Sequence, residues 1–283
     1  MARSTLRKEA AALLVGVGCL LAAAMPTPQG TGVPPEPTCG SASCPRITNH
    51  GGGLLSNPRV YLVTFTARER RLAALPPQLP SQLPAVTRAA FAARGASWWL
   101  DEYHVLPGAF AGAIQIQNRT LATARTINDD ALASALRAAR QARTLPSPAA
   151  ALYVVVTRAN QGVYYYDQHG RETSASDFCG YHSTSGAPNS RPFAYIVLPN
   201  ETGNLACSAG LTATDTWTYT YGHELAEALT DPFGNGWFGP PPHDDEIADI
   251  CETELPSVRV LWLHRAYFFP RLYDKKRHRC RAW

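Results

Sequence analysis

Tyr221-Gly-His-Glu-Leu-Ala-Glu-Ala-Leu-Thr-Asp-Pro232, followed by Asp244-Asp-Glu-Ile-Ala-Asp-Ile-Cys251, is the stretch that decides how this chain is read. Its apolar residues recur at helical spacing. Asp231-Pro232 closes the run, because a residue before proline resists the helical region. On a helix His223 and Glu227 stand four residues apart on one face, the geometry that offers two ligands to one metal ion. Stepping about 100° per residue, Thr216, Thr220, Glu224, Glu227 and Thr230 share the arc of His223, while Trp217, Tyr221, Leu225, Ala228 and Leu229 fill the opposite side. By itself this polar arc reads equally as the solvated face of a surface helix.

Working outward, β-branched and aromatic runs predict strands at residues 60–65, 152–157 and 193–198, and alternation predicts another at 109–117. A further strand is expected at 258–263, and residues 163–167 read as an edge strand. Helices are expected at 86–103 and from Asn128-Asp129-Asp130 to about Arg143, with Asp215 as the cap of the central helix. Residues 74–85 carry four prolines and read as a loop. Strands alternating with helices give an α/β (α+β) class: one domain over 47–283, with a mixed central sheet and flanking helices.

Residues 1–24 combine Arg3, Arg7 and Lys8 with an apolar run and Ala22-Ala23-Ala24, the pattern of a secretory signal peptide. A lipid on Cys19 is the lesser alternative, since Gly16 stands where a lipobox calls for a larger aliphatic. Residues 25–46 read as a flexible lead-in, and no later stretch reaches membrane-span length. Without the leader, 23 basic and 21 acidic residues remain. That balance excludes nucleic acid as an electrostatic partner. Of seven cysteines, Cys19 falls in the leader. Cys39, Cys44, Cys179, Cys207, Cys251 and Cys280 predict up to three disulfides in an exported protein, with a short Cys39–Cys44 loop among them. The basic run 275–281 reads as a solvated tail pinned by Cys280, and Asn118 and Asn200 fit the glycosylation pattern.

Three features extend the helical pair. Glu246 and Asp249 lie 19 and 22 residues beyond Glu227, a distance that lets the chain turn and return with a third metal ligand. Phe178-Cys-Gly-Tyr-His-Ser183 sets His182 beside a half-cystine and a glycine, a constrained backbone suited to a ligand or an electrophile. Trp237 and Phe238 lie in the loop between the ligand segments, where they wall a pocket or cover the core.

The order His50-Gly-Gly, Ser97-Trp-Trp with Glu102-Tyr103, Cys179-Gly-Tyr-His-Ser, Gly222-His-Glu-Leu-Ala-Glu with Asp231-Pro and Gly236-Trp, and Glu246-Ile-Ala-Asp-Ile-Cys251 resembles the EXORDIUM or phosphate-induced protein 1 family and its bacterial relatives. The likeness runs from about residue 47 to about 252. It implies a secreted or cell-wall protein with its site at His182, His223, Glu224, Glu227, Glu246 and Asp249. The His-Glu-Leu-Ala-Glu segment is also similar to the metal-binding helix of zincin proteases, with Glu227 where those carry a second histidine. A zincin-like domain is the fold this implies.

The sharper expectation is a zinc-dependent peptidase or hydrolase. His223 and Glu227 bind the metal, Glu246 or Asp249 completes the set, Glu224 is the general base, and His182 or Tyr181 stabilises the developing oxyanion. So many carboxylates weaken the ion as a Lewis acid, and they suit Ca²⁺ or Mn²⁺ as well as Zn²⁺. The competing expectation is a non-enzymatic extracellular or cell-wall binding protein whose metal site is structural. Its exposed aromatics, among Tyr164, Tyr165, Tyr166, Trp237 and Phe238, would stack on sugars.

Overall fold

The two most apolar runs of the chain lie side by side at the centre of a five-stranded sheet. The structure is a computed structural model that describes residues 46–67, 81–92, 97–167, 170–186, 191–200, 207, 211–240, 245–252, 258–262 and 265–283. The sheet strands are β2 (Arg59–Thr66), β3 (Ala109–Gln117), β5 (Ala151–Val156), β8 (Tyr181–Ser185) and β9 (Phe193–Leu198). Their order is β3-β2-β5-β9-β8, with β8 alone antiparallel, at one edge.

Side chains alternate across the sheet. Val60, Leu62, Leu152, Val154 and Ile196 face one core with Trp217, Tyr221, Leu225 and Leu229. Tyr61, Val63, Tyr153, Val155 and Tyr195 face another with Leu132 and Leu136. Helices therefore cover both faces: α1 (Leu83–Ala92), α2 (Ser97–Glu102) and α5 (Ala213–Thr230) on the first, α4 (Asp129–Gln141) on the second. Burial on both faces explains why β5 and β9 are apolar without interruption. The mixed α/β class holds.

Several local expectations change. The proline-rich stretch expected to be a loop through residue 85 gives way to α1 at Leu83, with Pro84 in the first turn, where a missing N–H costs little. Of the helix expected over 86–103, the described residues give α1 through Ala92 and α2 from Ser97 to Glu102. Residues 162–166 form β6 (Gly162–Tyr166), the middle strand of a three-stranded sheet between β4 (Thr126–Asn128) and β7 (Arg171–Thr173) instead of an edge. Thr212, not Asp215, caps α5: its hydroxyl accepts the Asp215 N–H and donates to the Asp215 carboxylate.

The basic segment is no solvated tail. It forms the turn and second strand of a hairpin, β13 (Arg271–Asp274) with β14 (Arg279–Ala282). Asp274, fully buried, meets Arg277 at 2.8 Å and Arg281 at 3.6 Å. Trp283 stacks on Phe269 of β12 (Arg265–Phe269) and meets Trp99 edge-on. Trp237 and Phe238 form β10, paired with β1 (Thr48–Asn49). Trp237 packs on Tyr103 and Lys275, and Phe238 stacks on His50, so these two side chains cover the core.

Among the described residues two disulfides are present, Cys179–Cys207 and Cys251–Cys280. Cys39, Cys44, the signal-peptide pattern and most of the lead-in lie outside the described residues. Among the described residues, no helix is long and apolar enough to cross a membrane.

Candidate metal centre

The polar arc of α5 does not face solvent. His223, Glu224 and Glu227 are each 3% exposed, and Thr230 is fully buried. The arc packs instead on the edge strand β8 and on the acidic segment 245–252, so the surface-helix reading fails. Gly180 permits the approach to β8, and Gly222 that of β12 on another side of the helix. A side chain at Gly180 would meet Thr220 Cγ2 at 2.6 Å, and one at Gly222 would meet Phe269 Cδ1 at 2.5 Å.

Three elements deliver the donors. Strand alternation turns His182 toward α5 and its neighbour Tyr181 to the opposite face. There the Tyr181 hydroxyl donates to Asp129 Oδ1 at 2.6 Å. Tyr181 is therefore excluded from the site, and the expectation that it might serve an oxyanion is wrong. Helix α5 supplies His223, Glu224 and Glu227. The 3-10 turn Asp249–Cys251 and the residues before it supply Asp249 and Glu246. That segment is pinned from outside by the Cys251–Cys280 bond, by the Tyr273 N–H donating to Ile247 O at 2.8 Å, and by the Gly239 N–H donating to Asp245 O at 2.9 Å.

The donors converge. His223 Nε2 lies 3.2 Å from Glu227 Oε2 and 3.1 Å from Asp249 Oδ1. His182 Nδ1 lies 3.5 Å from Glu224 Oε2 and 3.7 Å from Glu227 Oε2, and its Nε2 is 3.4 Å from Glu246 Oε1. Glu227 Oε1 accepts the N–H groups of Ala248 and Asp249, at 3.3 and 3.2 Å. Asp249 Oδ2 accepts the Glu246 N–H at 3.1 Å. Two sets of three donors could hold a metal ion, His223 with Glu227 and Asp249, and His182 with Glu227 and Glu246. Within each set the donor atoms lie within 4.8 Å of one another. His182, His223, Glu224, Glu227, Glu246 and Asp249 are thus together, as the sequence suggested; Tyr181, Trp237 and Phe238 are not.

So many carboxylates at low exposure demand positive charge, and protons supply it when no metal does. Burial alone would lower the pKa of His182. The Glu224 carboxylate at 3.5 Å and the charges of Glu227 and Asp231 outweigh it and push the imidazole up to about 9. His223 is likewise raised well above the ordinary range, Glu227 and Asp249 outweighing its burial. Burial, then the negative charge of Asp249, carries Glu227 up to about 7. Asp249 moves the other way: its burial is outweighed by the hydrogen bond and charge of His223. The donor chemistry fits a divalent cation, which replaces these protons on the same atoms.

A small pocket opens onto the cluster, with His223 and Glu224 in its lining and the Cys179–Cys207 bond, Tyr219 and Glu252 around them. Tyr219 and Glu252 were missed from the sequence. Tyr219 carried a usable signal, since it stands four residues before His223 and so on the same helical face. Burial pushes its phenol up to about 12, leaving a neutral donor. Glu252 follows Cys251 by one residue but carries no pattern of its own. Family models, curated proteins and solved structures, searched in turn, return no match to this chain.

Proposed function

We propose that this chain is an exported, zincin-like, metal-dependent hydrolase acting on a peptide or cell-wall bond, with its ion held by His223, Glu227 and Asp249. The observation that carries the reading is the position of Glu224. It belongs to the buried donor cluster through His182, yet it also lines the pocket, where a substrate would arrive. When bound, Zn²⁺ supplies Lewis acidity, acidifying a water and polarising a carbonyl. Glu224 would serve as the general base, taking a proton from the attacking water and returning it to the leaving group. Tyr219, on the pocket wall with its proton retained, is the donor facing substrate. His182 holds Glu224 by charge from behind. The resemblance to the EXORDIUM family and the two disulfides support an extracellular or cell-envelope location.

The test pairs metal content with turnover. The purified protein is expected to contain about one or more equivalents of metal and to hydrolyse members of a broad peptide or glycan-peptide library. Glu224→Gln is expected to keep the metal and lose activity by about 10²–10⁴-fold, the usual contribution of a general base. A metal-loaded protein with no turnover on any library would replace this reading with a structural site in a binding protein.

A further inference from the structure

The donor atoms fall into two sets of three that share Glu227 alone, and a single ion leaves one set unused. The way Glu227 is held makes sharing the natural outcome. Its Oε1 is occupied by the N–H groups of Ala248 and Asp249. Its Oε2 is left between the two imidazoles, 3.2 Å from His223 Nε2 and 3.7 Å from His182 Nδ1. One carboxylate oxygen facing two histidines from opposite elements, α5 and β8, has the disposition of a bridge.

Two further observations point to an ion on the His182 side. His182 is nine-tenths buried, and its Nδ1 has no well-formed hydrogen bond, its nearest carboxylate, that of Glu224, standing at 3.5 Å. A buried ring nitrogen aimed into carboxylates without a hydrogen bond is costly unless something binds there. The charge balance agrees. Glu224, Glu227, Glu246 and Asp249 bring four negative charges to a site whose imidazoles must be neutral to ligate metal. One divalent cation leaves two of those charges uncompensated in a buried place, and two cations remove them, which burial of charge strongly favours.

We propose that the centre binds two divalent cations bridged by the Glu227 carboxylate, the second held by His182, Glu227 and Glu246. The inference rests on the hydrolase reading only for the first ion. It makes His182 a neutral metal ligand, so that the second ion replaces imidazolium charge behind Glu224. With one imidazole and carboxylate oxygens per ion, each site suits Zn²⁺ or Mn²⁺.

The full chain, with its disulfides intact, is stripped with chelator, reloaded with Zn²⁺, desalted and assayed for metal per chain, with circular dichroism as the folding control. Two equivalents are expected for the wild type and one for His182→Ala and for Glu246→Gln. Two equivalents retained in His182→Ala would overturn the placement. One equivalent in the wild type, unchanged in His182→Ala, would overturn the second ion and leave the single-metal hydrolase standing; zero would overturn both. Where the variants fail to fold, Mn²⁺-loaded wild type decides by electron paramagnetic resonance. Ions about 3.5–4 Å apart, the spacing of two-metal centres, give an exchange-coupled signal. An isolated six-line spectrum at saturation refutes the pair.

Discussion

Replacing Gly222 by alanine sets two physical effects against each other, and the structure says which should win. In an exposed helix the change is favourable by about 0.8–1 kcal/mol, because alanine loses less backbone entropy on becoming helical. At this position the new Cβ would lie 2.5 Å from Phe269 Cδ1, 3.2 Å from its Cε1 and 3.0 Å from Pro270 Cδ. Carbon atoms pack at about 3.5–4.0 Å, so the ring must retreat by roughly 1 Å. It has little room to do so. Phe269 is fully buried and stacks at 4.7 Å on Trp283, which meets Trp99 at 5.0 Å. Overpacking of this kind costs about 1–3 kcal/mol, so the net expectation is a loss of about 1 kcal/mol, rising to 2 if the ring cannot turn. Urea denaturation of the chelated, disulfide-intact protein would read this as a lower midpoint at unchanged slope. Chelation matters, because metal bound only to the native state would otherwise add its own stabilisation. A variant more stable than the parent by the propensity difference would show that α5 does not pack on residues 269–270 this closely.

Three further outcomes follow from the site and its supports. The chelated protein should lose stability as pH rises. His182, raised from 6.5 to about 9, contributes fully below 6.5 and loses its contribution through about 9, and Glu227, raised from 4.5 to about 7, adds a loss of the same sign over its own lower window. Thermal midpoints that climb between pH 6.5 and 9 with chelator present would contradict the clustering of these groups. Replacing Cys251 and Cys280 together by alanine should cost about 2–4 kcal/mol in denaturant titrations. It should also weaken metal binding in calorimetry, since the bond anchors the turn that carries Asp249; unchanged affinity would mean the turn is held without it. Tyr181→Phe should cost about 1.5–3 kcal/mol through its lost bond to the buried Asp129 carboxylate, while leaving metal content untouched. A loss of metal in that variant would put Tyr181 back at the site.

The candidate ligand residues were legible because they obey local rules. His223 and Glu227 follow from helical spacing, and Glu246 and Asp249 from an acidic segment at a plausible return distance. The strands at 60–65, 152–157 and 193–198 announced themselves by continuous apolar character. What the arc of α5 faces was not legible, because periodicity reports polarity and not its destination. A helix turned to water and a helix turned to a buried ligand set carry the same residues. The exclusion of Tyr181 needed the strand pairing, since adjacent residues diverge only once a strand is assigned. The hairpin at 271–282 was hidden by its charge: Arg277 and Arg281 look solvated until Asp274, which follows the last apolar strand candidate, is seen buried between them.

The anchoring of the acidic turn has a bearing on how the site comes into being. Glu246 and Asp249 are held in place by Tyr273 and Cys280, residues that follow them in the chain, while the histidines they face come from β8 and α5, which precede them. During synthesis or export, the imidazoles emerge first and the carboxylates that complete their donor sets cannot be locked until the hairpin has folded and its thiol has been oxidised. In a reducing compartment that last step is withheld. On the proposed reading, metal capture would wait for an oxidising environment, and the ion would come from the medium outside the cell and not from the pool within it.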